Sequence, residues 1–364
     1  MPCLNEAETL AVCIQKAQSF LAKVNLVGEI IVADNGSTDG SQQIAINNKA
    51  IVVNVPLKGY GSAIRGGIEA AQSEYVIVGD SDDSHDLENL DMFYTELNKG
   101  VDLVVGNRFK GGLSKQDMPF MHRYIGNPVL TGLGNLFFKT NIGDFHCGLR
   151  GITKTAFKTM NLATTGMEFA SEMIVKAKLN NLRIVEVPTK VFPSGRSREA
   201  HLQTWPDGWR HLRFLLLYSP KWLFFYPGFI LGIIGVLLMG MLFTKSINQI
   251  NSIGLGVSSL FILTGFQFVL FYALTKIYAT NHGLIPQSKN YHVIFRSFTL
   301  ERGLLLGGGL MIVSGALLVF SLMNQDYSNF IFLTMVLLCL GVQIILFSFF
   351  FSILGLKGGK LESV

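Results

Sequence analysis

The sequence predicts an α/β domain with a mostly parallel sheet, followed by an all-α transmembrane domain of four helices. Three observations carry this. Short runs rich in β-branched residues alternate with stretches of helical spacing: Glu29–Ala33, Ala50–Val55, Tyr75–Val78, Asp102–Val105 and Leu182–Val187 read as strands. Charged residues make up only 15% of the 364 positions, against a usual ~25%, and they crowd before Pro220. Four apolar runs then follow, at about 222–243, 253–280, 303–323 and 330–356. Each reaches the ~20 residues needed to cross ~30 Å of hydrocarbon. The expected division is 1–200 for the α/β domain, 201–221 for an amphipathic juxtamembrane helix and 222–364 for the membrane domain.

Taken in order, Leu10, Ile14, Ala17 and Leu21 fall at helical spacing, and Asn5 is the expected cap. The strand Glu29–Ala33 runs into Asp34-Asn35-Gly36-Ser37-Thr38-Asp39-Gly40, an acidic, glycine-containing turn before a helix from about Ser41. Lys58-Gly59-Tyr60-Gly61 opens a helix through Ala71; its glycines let backbone approach a ligand, and a helix N-terminus behind them favours anions. Tyr75–Val78 ends abruptly in Gly79-Asp80-Ser81-Asp82-Asp83-Ser84-His85-Asp86, and a helix follows to about Asn98. Pro128–Lys139 reads as a helix too short to span a bilayer. Strands alternating with helices of this length form βαβ units.

The carboxyl edge of such a sheet is where ligands bind. Asp34 and Asp80 both end strands there. Asp80 and Asp82, two apart at a strand exit, turn to one point and suit a hard cation, Mg²⁺ or Mn²⁺, completed by substrate phosphates. The bland alternatives are a solvated acidic turn for this pair and a turn or cap residue for Asp34. Phe192-Pro193-Ser194-Gly195-Arg196-Ser197-Arg198 offers two arginines for forked bonds to a diphosphate. Its alternative is a patch for anionic lipid headgroups. Around Trp205–Tyr218, aromatics and cations flank an apolar face, the pattern of a helix lying on a membrane surface. Gly228, Gly232, Gly235 and Gly240 suit close helix packing in the first span.

Four cysteines, Cys3, Cys13, Cys147 and Cys339, lack metal-site spacing and imply a reducing compartment without disulfides. The net charge of +5 is modest and gives no reason to expect a nucleic-acid partner. The N-terminus lacks a signal-peptide pattern. Lys289, Arg296 and Arg302 in the second inter-span loop, with Lys357 and Lys360 in the tail, outnumber the charges of the other loops, Lys245 and Asp326. The positive-inside rule then places the α/β domain and the C-terminus in the cytosol.

Pro2-Cys3-Leu4-Asn5-Glu6, Val32-Ala33-Asp34-Asn35-Gly36-Ser37-Thr38-Asp39-Gly40, Lys58-Gly59-Tyr60-Gly61 and Asp80-Ser81-Asp82-x-x-His85 occur in an order and spacing that resembles family-2 glycosyltransferases of the GT-A fold. The set is similar in particular to the polyprenyl-phosphate branch, the dolichol-phosphate mannose and glucose synthases. The resemblance covers most of residues 1–220. It implies nucleotide-sugar contacts at Pro2, Asn5, Glu6, Asp34, Lys58, Gly59, Gly61, Asp80, Ser81 and Asp82, with the metal on Asp80 and Asp82. Gly106-Asn107-Arg108-Phe109 is similar to the family's Gly-Ser-Arg, and 111–127 suits an acceptor loop. Asp144-Phe145-His146-Cys147-Gly148-Leu149-Arg150 resembles the acceptor-side Asp-x-x-x-Gly-x-Arg motif. Asp144 is then a candidate base or orienting residue, or a loop residue paired with Arg150. Glu168 and Glu172 support the acceptor site. Arg150, Arg196 and Arg198 hold anionic groups. Two departures stand out: Asp86 replaces the family's Pro after His85, and the strand expected before Pro2 is missing, as for a start set inside that strand.

The expected activity is inverting transfer of a hexosyl group from a UDP- or GDP-sugar to polyprenyl phosphate, at the cytosolic face of the cell membrane. A lipid phosphate is mostly dianionic at neutral pH, its second pKa lying near ~6, so Asp144 is expected to orient and not to titrate. The alternatives are a processive polysaccharide synthase, whose Gln-x-x-Arg-Trp motif is replaced here by Gln203-Thr204-Trp205, and a non-catalytic membrane subunit. Self-association is left open.

Overall fold

The computed structural model describes residues 1–112, 120–198, 203–243, 249–281, 284–286, 299–323 and 330–356. Two compact units emerge, Met1–Leu215 and Leu216–Val364.

In the first unit, β1 (Pro2–Cys3), β2 (Ile31–Asp34) and β3 (Ile51–Asn54) form a parallel ladder in that order. A second ladder runs β4-β6-β5-β7, with β4 (Tyr75–Val78), β5 (Leu103–Asn107), β6 (Arg150–Thr153) and β7 (Ile184–Pro188). β5 and β7 are parallel, whereas β6 lies antiparallel between β4 and β5, with Arg150 opposite both Val78 and Val105. β6 was not among the expected strands. Its Arg150-Gly151 start lacks a β-branched signature, yet all four of its residues are buried. The expected absence of a first strand is corrected in part: Pro2 and Cys3 sit in register with Ala33 and Asp34. Between the edges of β2 and β4 lies a cavity of about 390 Å³, lined by Ile31 and Val76 among others.

Helix α1 (Leu10–Lys23) buries Leu10, Cys13, Ile14 and Phe20. Leu10 and Ile14 pack with Cys3, Val32 and Ala45, while Cys13 and Phe20 join Phe93, Leu97 and Leu149. One helix thus closes the core beside both ladders, each large buried side chain contributing roughly 1.5–3 kcal/mol. Asn5 does not cap it. The helix starts after Thr9, and Asn5, at φ 57°, instead accepts a bond from the Thr38 amide at 2.7 Å. The intervening residues form a turn, in which the Glu6 carbonyl takes the amides of Thr9 and Leu10.

The remaining helices of this unit are α2 (Ser41–Asn47), α3 (Tyr60–Ala70), α4 (Asp91–Asn98), α5 (Arg108–Gly111), α6 (Asn127–Phe138), α7 (Lys154–Met160), α8 (Phe169–Leu179) and α9 (Thr204–Leu217). A π-helical turn, His122–Gly126, leads into α6. Residues 113–119 of the expected acceptor loop lie outside the described residues. The division between units falls inside α9, within the stretch expected to be juxtamembrane.

In the second unit a π-helical turn, Lys221–Phe225, opens α10 (Tyr226–Phe243), followed by α11 (Gln249–Asn281), α12 (Leu300–Met323) and α13 (Phe330–Leu356). Four stretches, Lys221–Phe243, Ile250–Asn281, Leu300–Met323 and Phe330–Leu354, are long and apolar enough to cross a membrane. Gly228, Gly232 and Gly235 meet α11 at Gly265 and Ile262, closely enough that a Cβ would collide at Gly228 and Gly235; Gly240 faces open space. Lys245, Lys289, Arg296, Asp326, Lys357 and Lys360, which carry the orientation argument, lie outside the described residues. All four cysteines are free.

Candidate active site

Loops at the carboxyl ends of β1, β2 and β4 converge on a cavity of about 740 Å³ in the first unit. One end is dense with charge. Asp80 accepts from the Tyr60 hydroxyl at 2.8 Å and meets His85 Nε2 at 3.0 Å. Burial alone would push the Asp80 carboxyl up, but His85 and Tyr60 outweigh it and hold it below the usual carboxylate range, so it is ionised. Burial, with Asp80 close by, pushes the Tyr60 phenol well up and keeps it a donor. Asp82 takes the Ser84 amide and hydroxyl at 3.1 and 2.6 Å on Oδ1, while its Oδ2 faces Arg196 Nη2 at 3.1 Å. Ser81 ties this loop down: its hydroxyl donates to the Pro2 carbonyl at 2.7 Å, and its carbonyl accepts from Thr9 Oγ1 at 2.6 Å.

Arg196 also binds Glu6 Oε1, at 3.0 Å, so Asp82, Arg196 and Glu6 form a chain from β4 to β1. Arg198 bonds Glu6 and the carbonyls of Asn5 and Leu4, clamping that segment from outside the cavity wall. Burial pushes the Glu6 carboxyl up, against the pull of the two arginines.

The second wall of this end is the turn after β2. Asn35 accepts the Gly59 amide at 2.8 Å, and its carbonyl takes Lys58 Nζ at 2.5 Å. Gly59, at φ +125°, lies so close to the Thr165 carbonyl that any side chain would collide. Glu172 holds that neighbouring loop: wholly buried and paired with Lys176 at 3.0 Å, it accepts the amides of Ala163 and Thr164. It therefore holds the loop that packs against the Gly59 turn. Asp34 is 1% exposed, and its oxygens take the amides of Gly36 and Ser37 and the Gln42 side chain. Burial pushes its carboxyl up, but these bonds prevail and hold it down. Asp34 thus shapes the turn, while Asn35 and Lys58 line the cavity wall. Asn5 and Gly61 likewise stand off the wall; Gly61 packs on Phe169 and the Thr164 carbonyl.

The other end is different. Asp144 is 0% exposed and binds Arg108 bidentately, to Nε at 2.7 Å and Nη2 at 2.9 Å. Burial opposes the Arg108 charge, but Asp144 outweighs it and raises its pKa. The partner expected for Asp144, Arg150, points elsewhere. Buried on β6, it donates to the carbonyls of Cys147, Ala170 and Phe145 and does not line the cavity. Its assignment to anion binding is corrected: it is a post that folds the 145–150 loop. That loop then touches the carboxylate end, because Gly148 lies where a Cβ would strike the Asp80 carboxylate. His146, from the same loop, packs edge-on against His211 of α9, centroids 4.6 Å apart. His122 bonds the Thr204 hydroxyl at 2.9 Å. Around them stands an apolar wall: Met121, Ile125, Val129, Trp205, Trp209 and Leu212.

Tyr60, His122, Arg108, His146 and His211 were not singled out for a site role from sequence. Tyr60, Arg108 and His146 did lie inside quoted motifs, which was the available signal. Among the described residues no group of three or more His, Cys, Asp or Glu is set to hold a metal. Asp80 and Asp82 nonetheless fit a divalent cation whose remaining oxygens come from a substrate: both are hard donors, and Asp82 already faces a cationic group.

A carboxylate-bearing sheet edge, a glycine turn and an apolar cavity wall, on a chain continuing into membrane-length helices, are the features of a membrane-attached group-transfer enzyme of GT-A architecture. The comparisons agree. Residues 1–160 match the model "Glycosyl transferase family 2", and 273–355 match "Glycosyltransferase family 2 C-terminal transmembrane region". The low-salt glycan biosynthesis hexosyltransferase Agl6 of Haloferax volcanii is 36% identical over 90% of this chain and 80% of its own length. A dolichyl-phosphate hexose transferase of the same organism is 26% identical over 48% of this chain and 76% of its own. Among solved structures, glucosyl-3-phosphoglycerate synthase of Mycobacterium tuberculosis, with Mn²⁺ and UDP-glucose, is 24% identical at a TM-score of 0.45, covering 60% of this chain and 76% of that one. The chain belongs to glycosyltransferase family 2, and it is a glycosyltransferase with a membrane region.

Proposed function

We propose that the protein transfers a hexosyl group from a UDP- or GDP-sugar to a polyprenyl phosphate at the cytosolic membrane face. One observation carries this reading: a single cavity joins paired carboxylates and cations at one end to an apolar wall at the other. A sugar nucleotide needs the first. A water-soluble acceptor has no use for the second, whereas an isoprenoid chain does. The names of the two Haloferax relatives point the same way, and the cytosolic placement rests on the loop charges.

Asp80 and Asp82 would hold Mg²⁺ or Mn²⁺, which neutralises charge on the departing nucleoside diphosphate. Lys58 and Arg196 stand beside them as phosphate donors, and the Gly59 turn admits backbone to the ligand. At the far end Asp144 fixes Arg108 by two bonds, on Nε and Nη2, and Arg108 lines the cavity. A dianionic lipid phosphate needs no base, so Asp144 orients a cation and does not remove a proton. The bond from the anomeric carbon to the nucleoside diphosphate breaks as an acceptor phosphoryl oxygen bonds that carbon from the opposite face, inverting it.

The test is to incubate the purified full chain, in detergent, with labelled UDP- and GDP-hexoses and a polyprenyl phosphate, with Mg²⁺, Mn²⁺ or chelator. Label should enter the lipid phase with one nucleotide class and only with a divalent cation. Label that passes solely to water-soluble acceptors sinks the lipid reading.

A further inference from the structure

His146 has both ring nitrogens buried, and neither has a hydrogen-bond partner among the described residues. Such a group costs roughly 1–3 kcal/mol when left unsatisfied, so its retention beside a cavity points to a ligand. The ring lines the cavity that Arg108 also lines. On its other side it packs on His211 at 4.6 Å and 86°, and His211 Nδ1 is bound to Ser171 Oγ at 2.8 Å. Arg108 Nη1, the remaining guanidinium nitrogen, bears no hydrogen bond among the described residues. Lys58, Arg196, Asp80 and Asp82 line the same cavity, and α9, whose His211 packs on His146, also supplies Trp205, Trp209 and Leu212 to its wall.

We propose that His146 binds the acceptor, donating its ring N–H to a phosphoryl oxygen of the lipid phosphate beside Arg108. This rests on the lipid-phosphate reading above. Burial, with His211 and Arg108 nearby, holds the imidazole well below its ordinary pKa, so the donor is neutral and present throughout the neutral range. A neutral N–H adds direction at the phosphate without drawing the donor's diphosphate away from its own cations.

The experiment measures steady-state kinetics of the full chain in detergent, with farnesyl phosphate as acceptor and the preferred sugar nucleotide. His146→Phe should raise the KM for farnesyl phosphate about tenfold, leave the donor KM and the saturated rate near parental, and leave the Tm no lower than the parent's, since it removes two unpartnered buried nitrogens. His146→Gln, which restores an N–H donor, should recover most of the loss. Should His146→Phe fail to fold, His146→Met takes its place. A parental acceptor KM in the Phe variant overturns the proposal, as do equal rises in both KM values or a Gln variant no better than Phe. A parent that uses only water-soluble acceptors removes the underlying reading and this inference with it. A parent active on farnesyl phosphate isolates the inference.

Discussion

At one end of the cavity Arg196 joins Asp82 to Glu6 at distances near 3 Å, and Asp80 is held separately by His85 and Tyr60. At the other, a buried Asp144–Arg108 pair is surrounded by imidazoles and by exposed apolar side chains. The first end is stiff, because both oxygens of Asp80 and of Asp82 have partners and Glu6 Oε1 holds two arginines, while Glu6 Oε2 is buried without a partner among the described residues. The second has a fixed anchor and a loose rim. On the proposed lipid-phosphate reading, this asymmetry supplies direction at the donor and area at the acceptor.

The largest effect should come from the stiff end. Asp82→Asn keeps an oxygen for the Ser84 bonds but removes the charge that faces Arg196 and the proposed metal. Turnover should fall roughly 1000-fold, while the Tm and the acceptor KM stay close to parental, since Glu6 still holds Arg196. A variant retaining near-parental rate in chelator-treated buffer would remove the metal assignment and much of the contrast between the ends.

That contrast also governs what the sequence made legible. The carboxylate end comes from short segments whose chemistry is local: Asp80-Ser81-Asp82 follows its strand directly, and Lys58-Gly59 opens its helix. Both were readable from residue type and spacing. Asp34 was legible as a sheet-edge residue, but its bonds to Gly36, Ser37 and Gln42 were not, because they depend on how the turn closes. The acceptor end was harder. Asp144 has two arginines within reach in the chain order of the motifs, and only the antiparallel β6, hidden by Arg150-Gly151, decides that Arg108 is its partner and Arg150 a buried post. His146 and His211 are far apart in sequence and meet only through folding. The apolar spans needed no such partner information, since length and composition suffice.

A second effect should separate the ends by pH. Burial drives the His211 pKa down from 6.5 to about 4, with Asp207 pulling up and Arg150 pushing down. The unfolded chain therefore takes up this proton first as pH falls. The stability held by neutral His211 is complete above pH ~6.5 and is lost progressively toward pH ~4, by roughly 3 kcal/mol at ~1.4 kcal/mol per unit. His146 shifts in the same direction, so the two act together. The Tm should fall on acidification across this window, and His211→Asn should show a shallower fall. Equal slopes in variant and parent would mean that the imidazole pair does not govern acid stability.

The smallest effect should lie on the rim. Trp205 is 77% exposed in the first turn of α9 yet lines the cavity, so it stabilises little in the free protein and has area to offer a lipid. Covering a large side chain fully contributes ~1.5–3 kcal/mol. A chain lying along one face of the ring covers about half of that, and each ~1.4 kcal/mol is tenfold. Trp205→Ala should then raise the KM for a farnesyl-length acceptor about fivefold and that for a five-carbon acceptor hardly at all, because the shorter chain ends before the rim. The donor KM and the Tm should not move. Dependence on chain length is the informative readout, since a general loosening of α9 would weaken both acceptors alike. If the two acceptors suffer equally, the rim does not read the isoprenoid, and the apolar wall loses its place in the division of labour between the two ends.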